Sequence, residues 1–206
     1  KAMTPALARQ HGIECIYQEF NLIDVLSAAE NICYGEKLGP LVNQKKMNQI
    51  AQAVFDDFGV DIDPSTLVRD LTPGRMQIVE IAKAVSKKVR VLILDEPTAP
   101  LSVAEVKILF RIVNKLRAEG VAIIFISHRL DEVFELTDRV SILRDGEYIT
   151  TLNTKETNRA ELIKYMVGRE MTQTFPPRSA EIGNVALELK NLTGNGVKNI
   201  SFQAHR

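Results

Sequence analysis

Two apolar, β-branched runs at residues 89–94 and 121–126 bracket a stretch of helical periodicity, and this triplet limits the fold more than any other feature of the sequence. Both runs are strand-sized and nearly continuous in apolar residues, the pattern of parallel strands buried on both faces. Between them Val106, Leu109, Val113 and Leu116 fall on one helical face; Ser102 with Glu105 forms a capping box at the start, and Gly120 supplies the stop. Strand, helix and strand in this order make a parallel β-α-β unit with a right-handed crossover. The fold class is therefore α/β around a parallel sheet.

The flanking segments extend this plan. Residues 12–17 read as a short strand running into a polar loop at Gln18 and Glu19, and a helical stretch follows from Phe20 to Val68. Within it Met47, Ile50, Ala51, Val54, Phe55 and Phe58 mark one helix face, closed by Gly59. Another helix starts near Gly74 or Arg75 and runs to about Lys87. Arg144-Asp145-Gly146 between two short apolar runs predicts a hairpin, and Asn158 with Glu161 predicts a helix stopped by Gly168. Residues 170–184, with Pro176, Pro177 and Gly183, read as a linker. Strand patterns at 185–190 and 197–202 then open a second domain, giving a division into 1–169, 170–184 and 185–206. Those last strands are also candidates to pair with open sheet edges of the first domain.

Composition narrows the function. The 206 residues carry 26 basic and 26 acidic side chains, so no overall field favours nucleic acid as a partner. No apolar run approaches the roughly 20 residues that span a bilayer. Cys15 and Cys33 lack metal-site spacing and read as reduced thiols.

The chemistry concentrates where the first strand of the triplet ends, at Asp95-Glu96-Pro97-Thr98. Ligands of open α/β folds bind at the carboxyl ends of the strands. Of two adjacent carboxylates there, one can hold Mg²⁺ and the next can position and deprotonate a water; Asp95 is assigned to the metal and Glu96 to the water. The next strand ends in Ser127-His128-Arg129, which brings an imidazole to the same edge, placed to sense a terminal phosphate. His11 and His205 have no such context. Upstream, Thr72-Pro73-Gly74-Arg75 sets a hydroxyl and a glycine at a helix entrance, where free N–H groups favour an anion.

Taken in order, these residues resemble the ABC ATPase family over residues 12 to about 168. Tyr17-Gln18-Glu19 is similar to the Q-loop, residues 71–77 to the signature motif, residues 92–96 to the Walker B strand, residues 99–102 to the D-loop, and His128 to the switch histidine. The resemblance implies a P-loop NTPase-like core with a parallel sheet and a helical subdomain. It also implies ATP and Mg²⁺ as cofactors, with Gln18 reaching the metal and signalling to membrane subunits. Thr72, Pro73, Gly74 and Arg75 would lie on a nucleotide held by a second ATPase domain, either a tandem half or a second copy.

The match has gaps. Pro73 stands where the family has a glycine and offers no N–H, and Arg75 stands in place of glutamine. One missing donor to a developing anion costs about 2.7–4 kcal/mol. Pro100 stiffens the D-loop, and Ser102 occupies a place often held by Asp. No stretch reads Gly-x-x-x-x-Gly-Lys-Ser/Thr, so the phosphate cradle is absent; in family order it would precede Lys1, making residues 1–169 an N-terminally truncated domain, and follow Arg206 for the second domain. This chain is therefore expected to bind ATP poorly and not to hydrolyse it. Residues 79–84, 126–133 and 140–146 resemble the tandem ATPases of ribose, galactose or xylose importers. That implies transmembrane permease partners, a periplasmic solute-binding protein acting indirectly, and a cytoplasmic location on the inner face of a bacterial membrane. The competing readings are a soluble, non-transport ABC ATPase and a purely structural interaction module.

Overall fold

The computed structural model describes residues 4–36, 42–87, 89–168, 182–194 and 196–206. In chain order the elements are α1 (Pro5–Gln10), β1 (Ile13–Ile16), α2 (Ala28–Ile32), α3 (Gln44–Phe58), α4 (Pro73–Val85), β2 (Val91–Asp95) and α5 (Val103–Ala118). There follow β3 (Ala122–Ile126), α6 (Leu130–Leu136), β4 (Arg139–Arg144), β5 (Glu147–Asn153), α7 (Arg159–Val167), β6 (Val185–Gly194) and β7 (Val197–His205). The chain divides into a unit over Lys1–Met166 and a second over Val167–Arg206.

In the first unit β1, β2 and β3 form a parallel sheet in that order, with β2 central. One face packs Leu92 and Leu94, both fully buried, with Ile16 against helices that contribute Phe55, Ile81, Leu109, Ile112 and Leu116. The other face is only partly covered by the described residues, and this corrects the expectation of strands buried on both sides. On β3, Ile124 is 50% and Ile126 46% exposed, because β3 is an edge strand packed on one side only. A continuous apolar run does not distinguish these two cases.

Local chemistry fixes the helices. The Asn43 carboxamide oxygen accepts the Lys46 N–H at the start of α3, and Gly59 ends the helix in the left-handed region at φ 64°. Ser102 and Glu105 complete the expected capping box on α5. A second box, Ser27 with Glu30, opens α2, a helix of five residues whose Ala28, Ala29 and Ile32 are wholly buried. A smaller cluster gathers Leu130, Ile142 and Leu162 where α6 and α7 meet the β4–β5 hairpin. The hairpin turns on Asp145 and Gly146 at φ 53° and 81°, as its Asp-Gly sequence dictates.

In the second unit β6 and β7 pair with each other as an antiparallel sheet of two strands. The expected linker at 170–184 lies outside the described residues as far as 181. None of the helices is long and apolar enough to cross a membrane among the described residues.

Candidate functional site

The site grows out of strand register. Asp95 pairs with Ile126 at the carboxyl ends of β2 and β3, and the ladder closes with the Glu96 N–H donating to the Ile126 carbonyl at 3.0 Å. The next residues leave both strands together, which puts Glu96 and His128 side by side. Their side chains meet at 3.1 Å, His128 Nδ1 to Glu96 Oε1. An ionised carboxylate only accepts, so this bond places a ring proton on Nδ1 and turns Nε2 outward. Glu96 holds φ 46°, a left-handed conformation that costs a non-glycine residue energy and is concentrated at functional sites. Its carbonyl accepts the Ala99 N–H at 3.2 Å, tightening the turn that carries Pro97 and Thr98.

Gln18 reaches the same edge by register alone. Ile16 pairs with Leu94, so Gln18 stands as many residues past Ile16 as Glu96 stands past Leu94, and it is exposed. The segment after it is clamped to α4: the Asn21 N–H donates to Glu80 Oε1 at 2.5 Å, and Lys83 Nζ donates to the Asn21 carbonyl at 2.9 Å. Burial pushes the Glu80 carboxyl up and the Lys83 ammonium down from their usual ranges. Buried Asn31 holds the following turn, accepting the Ile23 N–H at 2.8 Å and donating to the carbonyls of Ile23 and Ser27.

Thr72 is the N-cap of α4, its hydroxyl oxygen accepting the Arg75 N–H at 3.4 Å, with Pro73 as the first helical residue and Gly74 buried in that turn. Thr72, Pro73 and Arg75 are exposed. This helix entrance already has an anion beside it, because the Thr72 hydroxyl donates to Glu105 Oε1 at 3.3 Å. Among the described residues no hydrogen bond or ion pair joins residues 72–75 to Asp95, Glu96 or His128. The structure thus brings Glu96 and His128 into contact, with Asp95 and Gln18 at the same edge, and sets Thr72 to Arg75 on another element.

A concavity of about 990 Å³ runs along α1, β1 and α4 past Tyr17, Tyr34, Glu80 and Lys83, and its lining does not include Asp95, Glu96 or His128. An exposed polar strand edge is shallow, so cavity size does not mark the chemistry here. Sequence reasoning missed Glu132, which is buried beneath the pair and bonded to Thr98 and Ser127. In the sequence it stood only within residues 126–133, read for their resemblance to importer ATPases. It also missed the reach of Glu105 to Thr72, a contact between residues far apart in sequence with no local signature.

The structure thus has a parallel α/β sheet whose central strand ends in adjacent carboxylates, with a histidine that follows the next strand on the second of them. Residues 3–99 match the family described as ABC transporter. It is 40% identical over 204 residues to the galactose/methyl galactoside import ATP-binding protein MglA of Haemophilus influenzae, a match covering 97% of this chain and 40% of that protein. It is 42% identical over 203 residues to the ribose import ATP-binding protein RbsA of Geobacillus kaustophilus, covering 96% and 41%. The chain thus spans about 40% of the length of these curated relatives. Among solved structures, the ATP-binding cassette MJ0796 in a dimeric post-hydrolysis state with ADP and Pi shares the fold with a TM-score of 0.63 at 21% identity, over 74% of this chain and 68% of that one. The expected α/β class with an ABC ATPase core is thereby met.

Proposed function

We propose that this chain is part of an ATP-binding and ATP-hydrolysing subunit that drives import of a sugar or similar small polar solute. The observation that carries the reading is the 3.1 Å contact of His128 with Glu96, directly after Asp95 at the carboxyl edge of the sheet. In this reading Glu96 orients and deprotonates the attacking water, and His128, held through Nδ1, presents Nε2 toward the terminal phosphate. Asp95 and Gln18 would hold Mg²⁺. Among the described residues no three His, Cys, Asp or Glu side chains cluster as a protein-only cage. Mg²⁺ suits such a sparse set, since it takes one or two carboxylates and fills its remaining positions with water and phosphate oxygens. The metal supplies charge neutralisation of the phosphates when bound.

Thr72, Gly74 and Arg75 would face a nucleotide held by a second ATPase domain. Residues 1–169 fit an incomplete first domain and 185–206 the opening strands of a second. A hairpin of two strands is marginal alone, and Leu187, Ile200 and Phe202 are about half exposed, as suits strands that belong to a larger core. The import relatives favour a permease partner, a solute-binding protein acting through it, and a position on the cytoplasmic face of the membrane. Lacking a phosphate cradle in its sequence, the chain by itself is not expected to turn over ATP.

The test uses the whole polypeptide reconstituted with its permease. Glu96→Gln should abolish steady-state ATP hydrolysis while leaving Mg-ATP binding intact; undiminished hydrolysis in that variant defeats the reading.

A further inference from the structure

We propose that Glu132 is a positioning residue that holds the Glu96–His128 pair together by tying the loop after β2 to the loop after β3. Its side chain is buried at 3% exposure in the first turn of α6. Oε2 accepts two hydroxyl protons, from Thr98 Oγ1 at 2.9 Å and from Ser127 Oγ at 2.8 Å, and Oε1 pairs with the Arg129 guanidinium at 2.6 Å. Thr98 stands two residues beyond Glu96, while Ser127 and Arg129 flank His128. One carboxylate thus grips both loops that carry the reacting side chains.

The hydroxyl directions are fixed by the same chemistry. Ser127 has one proton and gives it to the carboxylate, so its oxygen is free to accept the Arg129 N–H at 3.0 Å. Thr98 is itself buried. A buried carboxylate is costly unless it is paired; here hydroxyl donors from two loops satisfy Oε2, while Oε1 has the charge of the Arg129 guanidinium beside it without an aligned hydrogen bond. Glu132 does not serve as a capping-box acid for its own helix: Arg129, the N-cap residue, has no side-chain cap. The carboxylate is turned inward instead, toward the turn in which Glu96 is held at positive φ.

The proposal rests on reading Glu96 and His128 as the reacting pair, but its test needs neither nucleotide nor turnover. With ¹⁵N-labelled histidine, long-range ¹⁵N–¹H spectra at a pH where the ring is neutral report which nitrogen of His128 carries the proton. The wild-type chain should show the Nδ1–H form that the Glu96 bond selects. Thr98→Val, nearly isosteric, cuts one arm of the tie, and Glu132→Gln removes the charge and the Arg129 pair. Each should lower the ratio of Nδ1–H to Nε2–H about two- to tenfold, the worth of one hydrogen bond. The double variant should shift it no further than the stronger single change, since both act through one link. An unchanged ratio in Thr98→Val with an otherwise native amide spectrum overturns the proposal, even where Glu132→Gln fails to fold. Failure here leaves the hydrolysis test of Glu96→Gln untouched, and the reverse holds.

Discussion

The Glu105 carboxylate lies where a side chain at Gly74 would have to go. A methyl group on Gly74 would come within 2.1 Å of Glu105 Oε1 and 2.6 Å of its Cγ. A side chain at this position would therefore have to displace the flexible Glu105 carboxylate, before any phosphate is considered. Gly74→Ala should expel the carboxylate and disturb the Ser102 box, offsetting the gain of up to about 1 kcal/mol that alanine brings to a helix. With Glu105→Ala as background the same substitution should be stabilising. Urea unfolding of the four proteins should give a coupling of about 1 kcal/mol or more, and additive effects would refute the contact.

Glu105 also predicts an acid-dependent stability. Its carboxyl is held below the usual range, first by the Ser102 backbone N–H, then by the Ser102 hydroxyl, and to a lesser extent by Thr72 and Gly74. A depressed folded value means the unfolded chain binds the proton more tightly. The contribution is thus present above the ordinary carboxylate range and lost as pH falls through the folded value. Glu105→Gln preserves a capping box, for which glutamine suffices, but removes the charge. Its unfolding midpoint should fall below wild type at pH 7, and the gap should close toward pH 3.

The contrast between these residues and their neighbours shows what the sequence made legible. Gly59, Ser102 with Glu105, and Asp145-Gly146 act within a few residues of themselves, so their roles could be read from spacing. The register bringing His128 to Glu96 followed from two strands ending in polar residues. Contacts such as Glu105 to Thr72, Glu80 to Asn21 and Glu132 to Thr98 join distant segments, and no local pattern encodes them. The exposed face of β3 was misread because apolar runs report propensity and not which neighbours arrive.

Asn31 anchors the segment that follows Gln18, and its loss should be felt there first. Asn31→Leu keeps the volume but removes the acceptor of the Ile23 N–H; Ile23 is exposed, so the cost is that of a typical hydrogen bond, about 0.5–1.5 kcal/mol. Hydrogen exchange should rise at residues 23–28 beyond the protein-wide change. Uniform acceleration would mean that Asn31 stabilises the fold without ordering this turn.

Glu80 makes the opposite prediction to Glu105. Burial raises its carboxyl above the ordinary value; the Asn21 N–H and the Lys83 charge offset this in part, and Oε2 lacks a hydrogen-bond partner. A raised folded value means that its stabilising contribution is fully present below the unfolded value and is lost as pH rises through the folded one. Glu80→Gln keeps an acceptor for Asn21 while removing a buried charge. The variant should equal or exceed wild type in unfolding free energy at pH 8, with that advantage shrinking as pH falls through the raised value at which the wild-type carboxyl takes up its proton. Lys83 also loses its charged neighbour, so its already lowered ammonium should fall further and its bond to the Asn21 carbonyl should weaken. A variant less stable than wild type at pH 8 would show that the attraction of the Lys83 charge outweighs the burial of the acid, and would reverse the assignment of causes at this clamp.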